Sequence, residues 1–495
     1  MLRGEMPVAV EFSDLRTTRF NSSGKSGRFY QGEFIAVMGR SGAGKTTLLK
    51  MLAGYDGATK GELEFFGKYN WTRNEDLLKR NIGFVSQDNA LFQELTPREM
   101  LRFYSKVAKR KQVKKTLDLL NLQSCKNTPA KYLSGGEKKR VSIAIELIRN
   151  PSILILDEPD SGLDRQSREE LYAILFEINS MGTTVIFTTH YDMNGRLRQP
   201  RSLEEKEVVF VEVRNERGRG SQETRKISRK GTTTPFGALL AREFKLQKPK
   251  TGWFLLAATI AMLIQRAVVT IEDFQRFVDA LPAQLILSTV SIILGIMLTI
   301  NMVCDTYNVT KRDIRMGLSS GKIVLAKILW ACFMCVVMSA ILVIPYLSDM
   351  TSFGIRDEYF HTGFLYGGVF GAMFTSASVA LLVSVVLRNS PKKVLAPVVT
   401  IIGYQLAFSG FISSNIPSSL RNTFEYLTIS KHAIRAIGTG FGFYHPDHLW
   451  DTPLFAFELS SEHAIRIAIF LSVFSILAII IAGFWLAIAN YLGIE

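Results

Sequence analysis

Five charge-free apolar runs fill the second half of the chain, at residues 283–304, 328–348, 363–387, 394–420 and 467–494. Each reaches the ~20 residues that a helix needs to cross ~30 Å of hydrocarbon. A sixth run, 251–265, stops at Gln265 and Arg266 but stays apolar to Ile271, so six membrane-spanning helices are expected. Residues 1–235 contain no stretch of this kind. The sequence thus predicts a water-facing first half and a helical, membrane-embedded second half. Composition supports the split. Hydrophobic residues make up 47 %, charged residues 21 %, and mean hydropathy is +0.15, which excludes a disordered or fibrous chain.

Charge in the loops sets the expected topology. Segment 305–327 carries Lys311, Arg312, Arg315, Lys322 and Lys327 against two Asp, and 388–393 carries Arg388, Lys392 and Lys393 with no acid. Segments 271–282 and 349–362 each hold three acids and one base. Lys/Arg enrichment marks the cytoplasmic side, so both termini are expected there, in a multi-pass membrane protein. Net charge is +15, and residues 195–231 supply eleven Lys/Arg against six Glu among Gly and Ser. This stretch reads as a linker, 201–234, drawn to anionic lipid at the inner leaflet. It lacks the interleaved aromatics or module of a nucleic-acid binder, so no nucleic-acid partner is expected. The four cysteines, Cys125, Cys304, Cys332 and Cys335, are too few for a disulfide framework and form no metal-ligand spacing with His.

The chemistry lies in the first half. Phe34–Met38 reads as a buried strand, and Thr47–Ala53 reads as a helix. Between them runs Gly39-Arg40-Ser41-Gly42-Ala43-Gly44-Lys45-Thr46-Thr47, the P-loop pattern in strand–loop–helix context. Its glycines let backbone N–H groups curl around phosphate oxygens at a helix N-terminus. Lys45 supplies a charge to the phosphates, and the Thr46 hydroxyl suits Mg²⁺. A second apolar run, Ile153–Leu156, ends in Asp157 and Glu158. Asp157 is placed to hold the metal through water, and Glu158 to act as general base on the attacking water. Gln87 follows another apolar run and is a candidate for reaching both metal and water. His190 ends the strand Thr184–Thr189 and is a candidate γ-phosphate contact. Ser134-Gly135-Gly136-Glu137 opens a helix as a second glycine-rich cradle. One nucleotide bound on two separated cradles implies a sandwich between two chains.

The order of these pieces, closed by Asp164 in Ser161-Gly-Leu-Asp164, resembles an ATP-binding-cassette ATPase. Gly42–Leu49, Leu133–Ile143 and Pro151–Pro159 are closer still to the G subfamily of white-type half-transporters, in which the cassette precedes the membrane domain. The resemblance implies an α/β P-loop ATPase domain over 1–200, an amphipathic connecting helix over 235–249, and an all-α six-helix domain of the ABC-2, type V exporter kind over 250–495. It implies ATP and Mg²⁺, a second half-transporter chain (here a homodimer, since every motif is intact), a lipid, sterol or other amphipathic cargo moved outward, and a plasma-membrane location. An importer of metabolites with the same architecture, or a membrane ATPase regulating a partner channel, remain the alternatives.

By the same resemblance, the loop near Thr310–Ser320 is expected to touch the cassette. The transport path is expected along Ser291, Gly295 and Leu298 of one helix and Gly403, Leu406, Phe411 and Ile412 of another, with Phe411 and Ile412 as an outer gate. The departures are local. Asp160 stands where the family commonly has Thr. Tyr191-Asp192 replaces a usual Gln-Pro, and the tail of the cassette after His190 is short. No adenine-stacking aromatic is clear, leaving Phe12 and Phe20 as candidates.

Overall fold

The structure, a computed structural model, describes residues 7–17, 24–57, 60–189, 209–212, 235–268, 277–352, 362–387, 395–406, 429, 433, 437, 471, 473 and 475–482. These fall into two units. The first holds the described residues up to Ala238 together with Lys311–Ser319, and the second holds the others.

Two sheets build the first unit. Strands β1 (Val8–Arg16), β2 (Lys25–Tyr30) and β4 (Lys60–Phe65) make an antiparallel sheet in the order β2-β1-β4. Strands β3 (Phe34–Met38), β5 (Ile82–Val85), β6 (Ile153–Leu156), β7 (Thr184–Thr188) and β8 (Val209–Glu212) make the second, in the order β5-β6-β7-β3-β8. The first four of that order run parallel. Every residue of β3, β5, β6 and β7 is buried. Strands covered on both faces read as unbroken apolar runs, which is why three of them were visible as such in the sequence. Helix α1 (Lys45–Leu52) joins the sheets: Leu48, Leu49, Met51 and Leu52 pack in one core with Phe12, Phe29 and Phe65 of the small sheet and Ile35, Ile153 and Ile186 of the large one. The remaining helices of this unit are α2 (Trp71–Asn81), α3 (Pro97–Val107), α4 (Val113–Leu119), α5 (Gly135–Leu147) and α6 (Arg165–Ser180).

Two expectations are corrected here. Residues 201–234 are not all linker, because Val209–Glu212 pairs antiparallel with β3 from Ile35↔Glu212 to Met38↔Val209. The unpaired edge of β3 offers a row of backbone donors and acceptors, and the Val-Phe-Val run has the β-propensity to take it. Phe12 is no adenine platform either. It is 2 % exposed and meets Phe29 edge-on, with ring centroids 5.6 Å apart. Phe20 and His190 lie outside the described residues.

Lys311–Ser319, the loop expected to touch the cassette, does so within the first unit. It is the end of α9 (Tyr307–Arg315) and the turn after it. The Arg312 guanidinium donates to the Tyr104 hydroxyl on α3 at 2.7 Å and to the Ala90 carbonyl. The Tyr104 hydroxyl in turn donates to Asp313. Arg315 lies over the Tyr55 ring, 4.5 Å from its centroid.

The second unit is helical: α7 (Phe236–Val268), α8 (Phe277–Thr299), the first part of α9, α10 (Ser320–Ser352), α11 (Thr362–Val386) and α12 (Leu395–Leu406). Among the described residues three stretches are long and apolar enough to cross a membrane: Ile286–Arg315, Ser320–Ile344 and Leu365–Val386. The runs expected at 394–420 and 467–494 are described only in part, as α12 and as helical turns at 475–482. The connecting helix expected over 235–249 is not separate from the first span, since α7 continues unbroken through Pro249 for 33 residues. Proline in a helix interior removes one N–H but need not end the helix when the flanking turns are good formers, and here Leu246, Gln247, Lys248 and Lys250 flank it.

The path residues of α8 are packed rather than open. Ser291 is fully buried and donates to the Leu287 carbonyl at 2.6 Å, and Leu298 is 4 % exposed. A Cβ at Gly295 would lie 2.2 Å from both the Met373 carbonyl oxygen and the Ser376 Oγ on α11. The three residues share one helical face, and that face is closed by α11 within the chain. Of the other path residues, Gly403 and Leu406 lie on α12 and Phe411 and Ile412 lie outside the described residues.

Candidate nucleotide site

The P-loop is built by glycine. Gly42 and Gly44 hold φ of 81° and 90°, the left-handed region that only glycine enters freely. A Cβ at Gly42 would meet nothing within 4 Å, so the loop is open on that side. Helix α1 begins at Lys45 with no side chain capping it, so its leading N–H groups point into the loop without an intrahelical partner. A helix N-terminus left in this way is an anion cradle, and the loop fits a polyphosphate.

Lys45 is 6 % exposed, and its ammonium donates to the carbonyls of Gly39 at 2.7 Å and Arg40 at 3.0 Å. Burial pushes this ammonium below the usual lysine range, while Glu158 and Asp157 pull it back up. Its hydrogen bonds go to neutral groups, so its charge is available to phosphate oxygens.

Beside it, five residues from four places in the chain form one chain of hydrogen bonds. The Thr46 hydroxyl donates to Asp157 Oδ1 at 3.1 Å, and the Thr188 hydroxyl donates to the same oxygen at 3.0 Å. Thr188 Oγ1 accepts from the Glu158 backbone N–H at 2.6 Å. Gln87 Nε2 donates to Glu158 Oε2 at 2.8 Å. Asp157 is 2 % exposed, and burial raises its carboxyl above the ordinary range despite both threonine donors. Glu158 has φ of 42°, a left-handed conformation rare for a side chain of this kind. The Thr46 hydroxyl, the Asp157 carboxylate and the Gln87 amide oxygen are all hard oxygen donors, the set that Mg²⁺ prefers.

The second cradle is present but otherwise engaged. Ser134 caps α5 in a reciprocal box: its Oγ accepts from the Glu137 N–H at 3.2 Å, and Glu137 Oε2 accepts from the Ser134 N–H at 2.8 Å. The Ser134 N–H bond holds the Glu137 carboxyl below its ordinary range. Ser134 and Gly135 are exposed, and a Cβ at Gly135 would meet nothing within 4 Å. Gly136 sits beside Arg140 and Ser167. Asp164 is the cap of α6, accepting from the Ser167 N–H at 2.9 Å. The structure therefore brings Lys45, Thr46, Gln87, Asp157 and Glu158 together, and it places Ser134 and Asp164 at helix starts facing outward.

Two residues of this site escaped the sequence reading. Thr188 ties Asp157 to Glu158, and the signal for it was faint: a hydroxyl at the end of an apolar strand. Lys139, 3 % exposed, donates to the Gln87 carbonyl at 3.0 Å and to that of Ser86 at 3.3 Å, fastening α5 to the Gln87 loop. Burial lowers its ammonium, and Asp157 is foremost among the carboxylates that oppose this.

A parallel sheet with a glycine-rich loop before a helix, a buried Asp157 with Glu158 beside it at the end of β6, one strand removed from β3, and a serine-capped glycine pair define a P-loop ATPase domain of the cassette type. Residues 23–161 match the family described as ABC transporter. ABC transporter G family member 26 of Arabidopsis thaliana is 41 % identical over 182 residues, covering 34 % of this chain and 26 % of the relative. Member 22 of the same plant family is 42 % identical over 184 residues, covering 34 % and 24 %. The Fe(3+) ions import ATP-binding protein FbpC of Fusobacterium nucleatum is 40 % identical over 169 residues, covering 32 % and 44 %. The chain thus spans under half the length of these curated relatives. The cassette is similar to those of ABC transporters, G-family members among them, and a helical region follows it.

Proposed function

We propose that this chain is a half-size ABC transporter of the G subfamily that hydrolyses ATP to move a lipid, sterol or other amphipathic molecule outward across a membrane. The observation that carries the reading is the hydrogen-bonded line Thr46–Asp157–Thr188–Glu158–Gln87 beside an uncapped phosphate cradle. Lys45 and the α1 N-terminus bind the phosphates. Mg²⁺, held by Thr46, Asp157 and Gln87, would supply charge neutralisation on the phosphate oxygens. Glu158 takes the proton of the attacking water, oriented by the Gln87 amide that already holds its carboxylate. Lys45 lies on one cradle and Ser134 on another that faces outward. Two copies are therefore proposed to close over two nucleotides, as a homodimer.

The second unit supports a membrane setting. Trp253, Leu256, Ile260, Leu263 and Ile264 expose one apolar face of α7, and Leu325, Leu329, Phe333 and Val336 one face of α10. Six spans, cytoplasmic termini and a plasma-membrane location follow as parts of the same proposal, on the loop charges read above.

The test uses the purified chain in proteoliposomes carrying a fluorescent phospholipid analogue. Outward movement of the analogue that requires ATP is expected. ATP hydrolysis with no movement of any labelled lipid would favour a regulator, and inward movement an importer. Mixing with Ser134→Arg chains tests the shared site. Activity per wild-type chain should fall steeply with mutant fraction, and simple proportionality would rule the shared site out.

A further inference from the structure

The turn after β6 ends on a buried carboxylate that no step above uses. Asp160 stands two residues beyond Glu158 and is 2 % exposed. Its Oδ2 accepts from the Tyr172 hydroxyl on α6 at 2.6 Å and from the Thr189 hydroxyl at 2.6 Å, and these two hydroxyls stand 3.1 Å apart. Thr189 is 1 % and Tyr172 7 % exposed, so water does not compete for the network.

Its place in the chain gives it consequence. Thr189 directly follows Thr188, which grips Asp157 and the Glu158 N–H, and directly precedes His190. Two adjacent threonines at the end of β7 thus hold the Asp157–Asp160 turn on either side of Glu158. That turn needs holding, because the left-handed backbone at Glu158 carries strain that a looser loop would release. On the far side, Tyr172 belongs to the helix whose start Asp164 caps, so the loop from 160 to 164 is pinned at both ends. A carboxylate suits the spot, since two hydroxyl donors converge on one oxygen and donors to a charged acceptor bond about twice as strongly. Burial first, and the Asp160 charge second, push the Tyr172 phenol well above its usual range, so it stays a donor.

We propose that Asp160 is a positioning residue for ATP hydrolysis: through Tyr172 and Thr189 it locks the Glu158 turn to the end of β7, so that the general base is held in one place. This rests on the ATPase reading above. It predicts a loss in turnover rather than in nucleotide binding, because none of the three residues belongs to the phosphate cradle.

The experiment compares full-length wild type, Tyr172→Phe, Thr189→Val and Thr189→Ser for kcat, KM for ATP and thermal unfolding midpoint, with Glu158→Gln as control. Tyr172→Phe keeps the ring that packs on Phe187, 5.8 Å away, and removes only the hydroxyl. We expect kcat to fall at least about fivefold in Tyr172→Phe and Thr189→Val with KM for ATP held within about twofold, the signature of misplacement without lost binding. Thr189→Ser, which returns the hydroxyl without the methyl, should recover most of the loss. A smaller fall in kcat for Tyr172→Phe overturns the proposal, even if the midpoint drops, since that marks a purely structural bond. So does a Ser variant no better than Val. If Thr189→Val does not fold, Tyr172→Phe and Thr189→Ser decide. A wild type that turns over no ATP, or no faster than Glu158→Gln, removes the ATPase reading itself and this inference with it.

Discussion

Two lysines, one in each unit, are buried to nearly the same degree and are held by opposite means. Lys45 is 6 % exposed and donates to two backbone carbonyls of its own loop. Lys327 is 2 % exposed and faces Glu243, with 3.2 Å between Nζ and Oε1. It also donates to the Met302 carbonyl at 3.2 Å. Burying a charge is costly unless it is paired. Lys327 has its counter-ion and completes a helix packing of α10 on α7. Lys45 donates only to carbonyl dipoles, with the Glu158 and Asp157 charges acting on it from nearby, in a loop whose helix N-terminus adds further positive potential. A buried cation whose hydrogen bonds go to carbonyls, beside an open glycine turn, is a binding site; a buried cation in direct contact with a carboxylate is scaffold. Lys139 is a third case, holding carbonyls of the Gln87 loop within reach of the Asp157 field.

The largest expected effect would break this contrast at its scaffold end. Lys327→Met strands the Glu243 carboxylate and should lower the stability of the detergent-solubilised protein by about 3–5 kcal/mol, read by chemical denaturation. Adding Glu243→Gln should recover much of that loss. Lys45→Ala should do the reverse, weakening nucleotide binding about 10- to 100-fold while shifting unfolding of the nucleotide-free protein by under about 1.5 kcal/mol. If Lys45→Ala unfolds the protein and Lys327→Met leaves it stable, the two lysines have been assigned the wrong way round.

Glu158→Gln sharpens the functional side. Turnover should fall at least ~100-fold with ATP binding retained, which equilibrium binding of a labelled nucleotide checks beside steady-state hydrolysis. Unchanged turnover would take Glu158 out of the mechanism.

Glycines extend the comparison. Gly295→Ala places a methyl against the Met373 carbonyl and should cost about 1–3 kcal/mol, seen in unfolding and in yield. Gly42→Ala meets no atom, so its cost is the φ of 81°, about 1–2 kcal/mol, together with loss of nucleotide affinity. Equal affinity loss in both variants would return Gly295 to a functional role.

The smallest effect is a pH dependence. Burial raises the Asp157 carboxyl above its unfolded value, so the folded chain holds that proton more tightly than the unfolded one. Stability from this group is gained as pH falls through the raised value and is absent at neutral pH. Asp157→Asn should therefore raise the unfolding midpoint at pH 7. Its advantage over wild type should shrink as pH drops toward the ordinary carboxylate range. An advantage that grows on acidification would contradict the burial account.

Parts of this were legible in advance because they are local. Gly39–Thr47 carries its own strand–loop–helix signal, and Asp157-Glu158 follows a four-residue apolar strand that needs no partner to be seen. The apolar runs of α8, α10 and α11 showed themselves by length alone. The linker was misread at Val209–Glu212, because four residues are too few for a periodic signal and their partner β3 is some 170 residues earlier. Gly295 was placed on the path by resemblance alone, and a resemblance carries no sign of the Met373 carbonyl and Ser376 that stand against it.

What the sequence determined by itself is the chemistry: which groups bind phosphate, which carboxylates stand at a strand end, and which segments are too apolar for water. Each depends on residue type and on spacing within one element. The tertiary structure alone decided how those groups are held. Thr188 reaches Asp157 across 31 positions, Lys139 reaches Gln87 across 52, and Lys327 meets Glu243 from another helix. Asp160 finds Tyr172 and Thr189 on two further elements. Single hydroxyls, ammonium groups and carboxylates carry no periodicity, so their pairing exists only once the sheet and helices have brought distant backbone to within 3 Å or so.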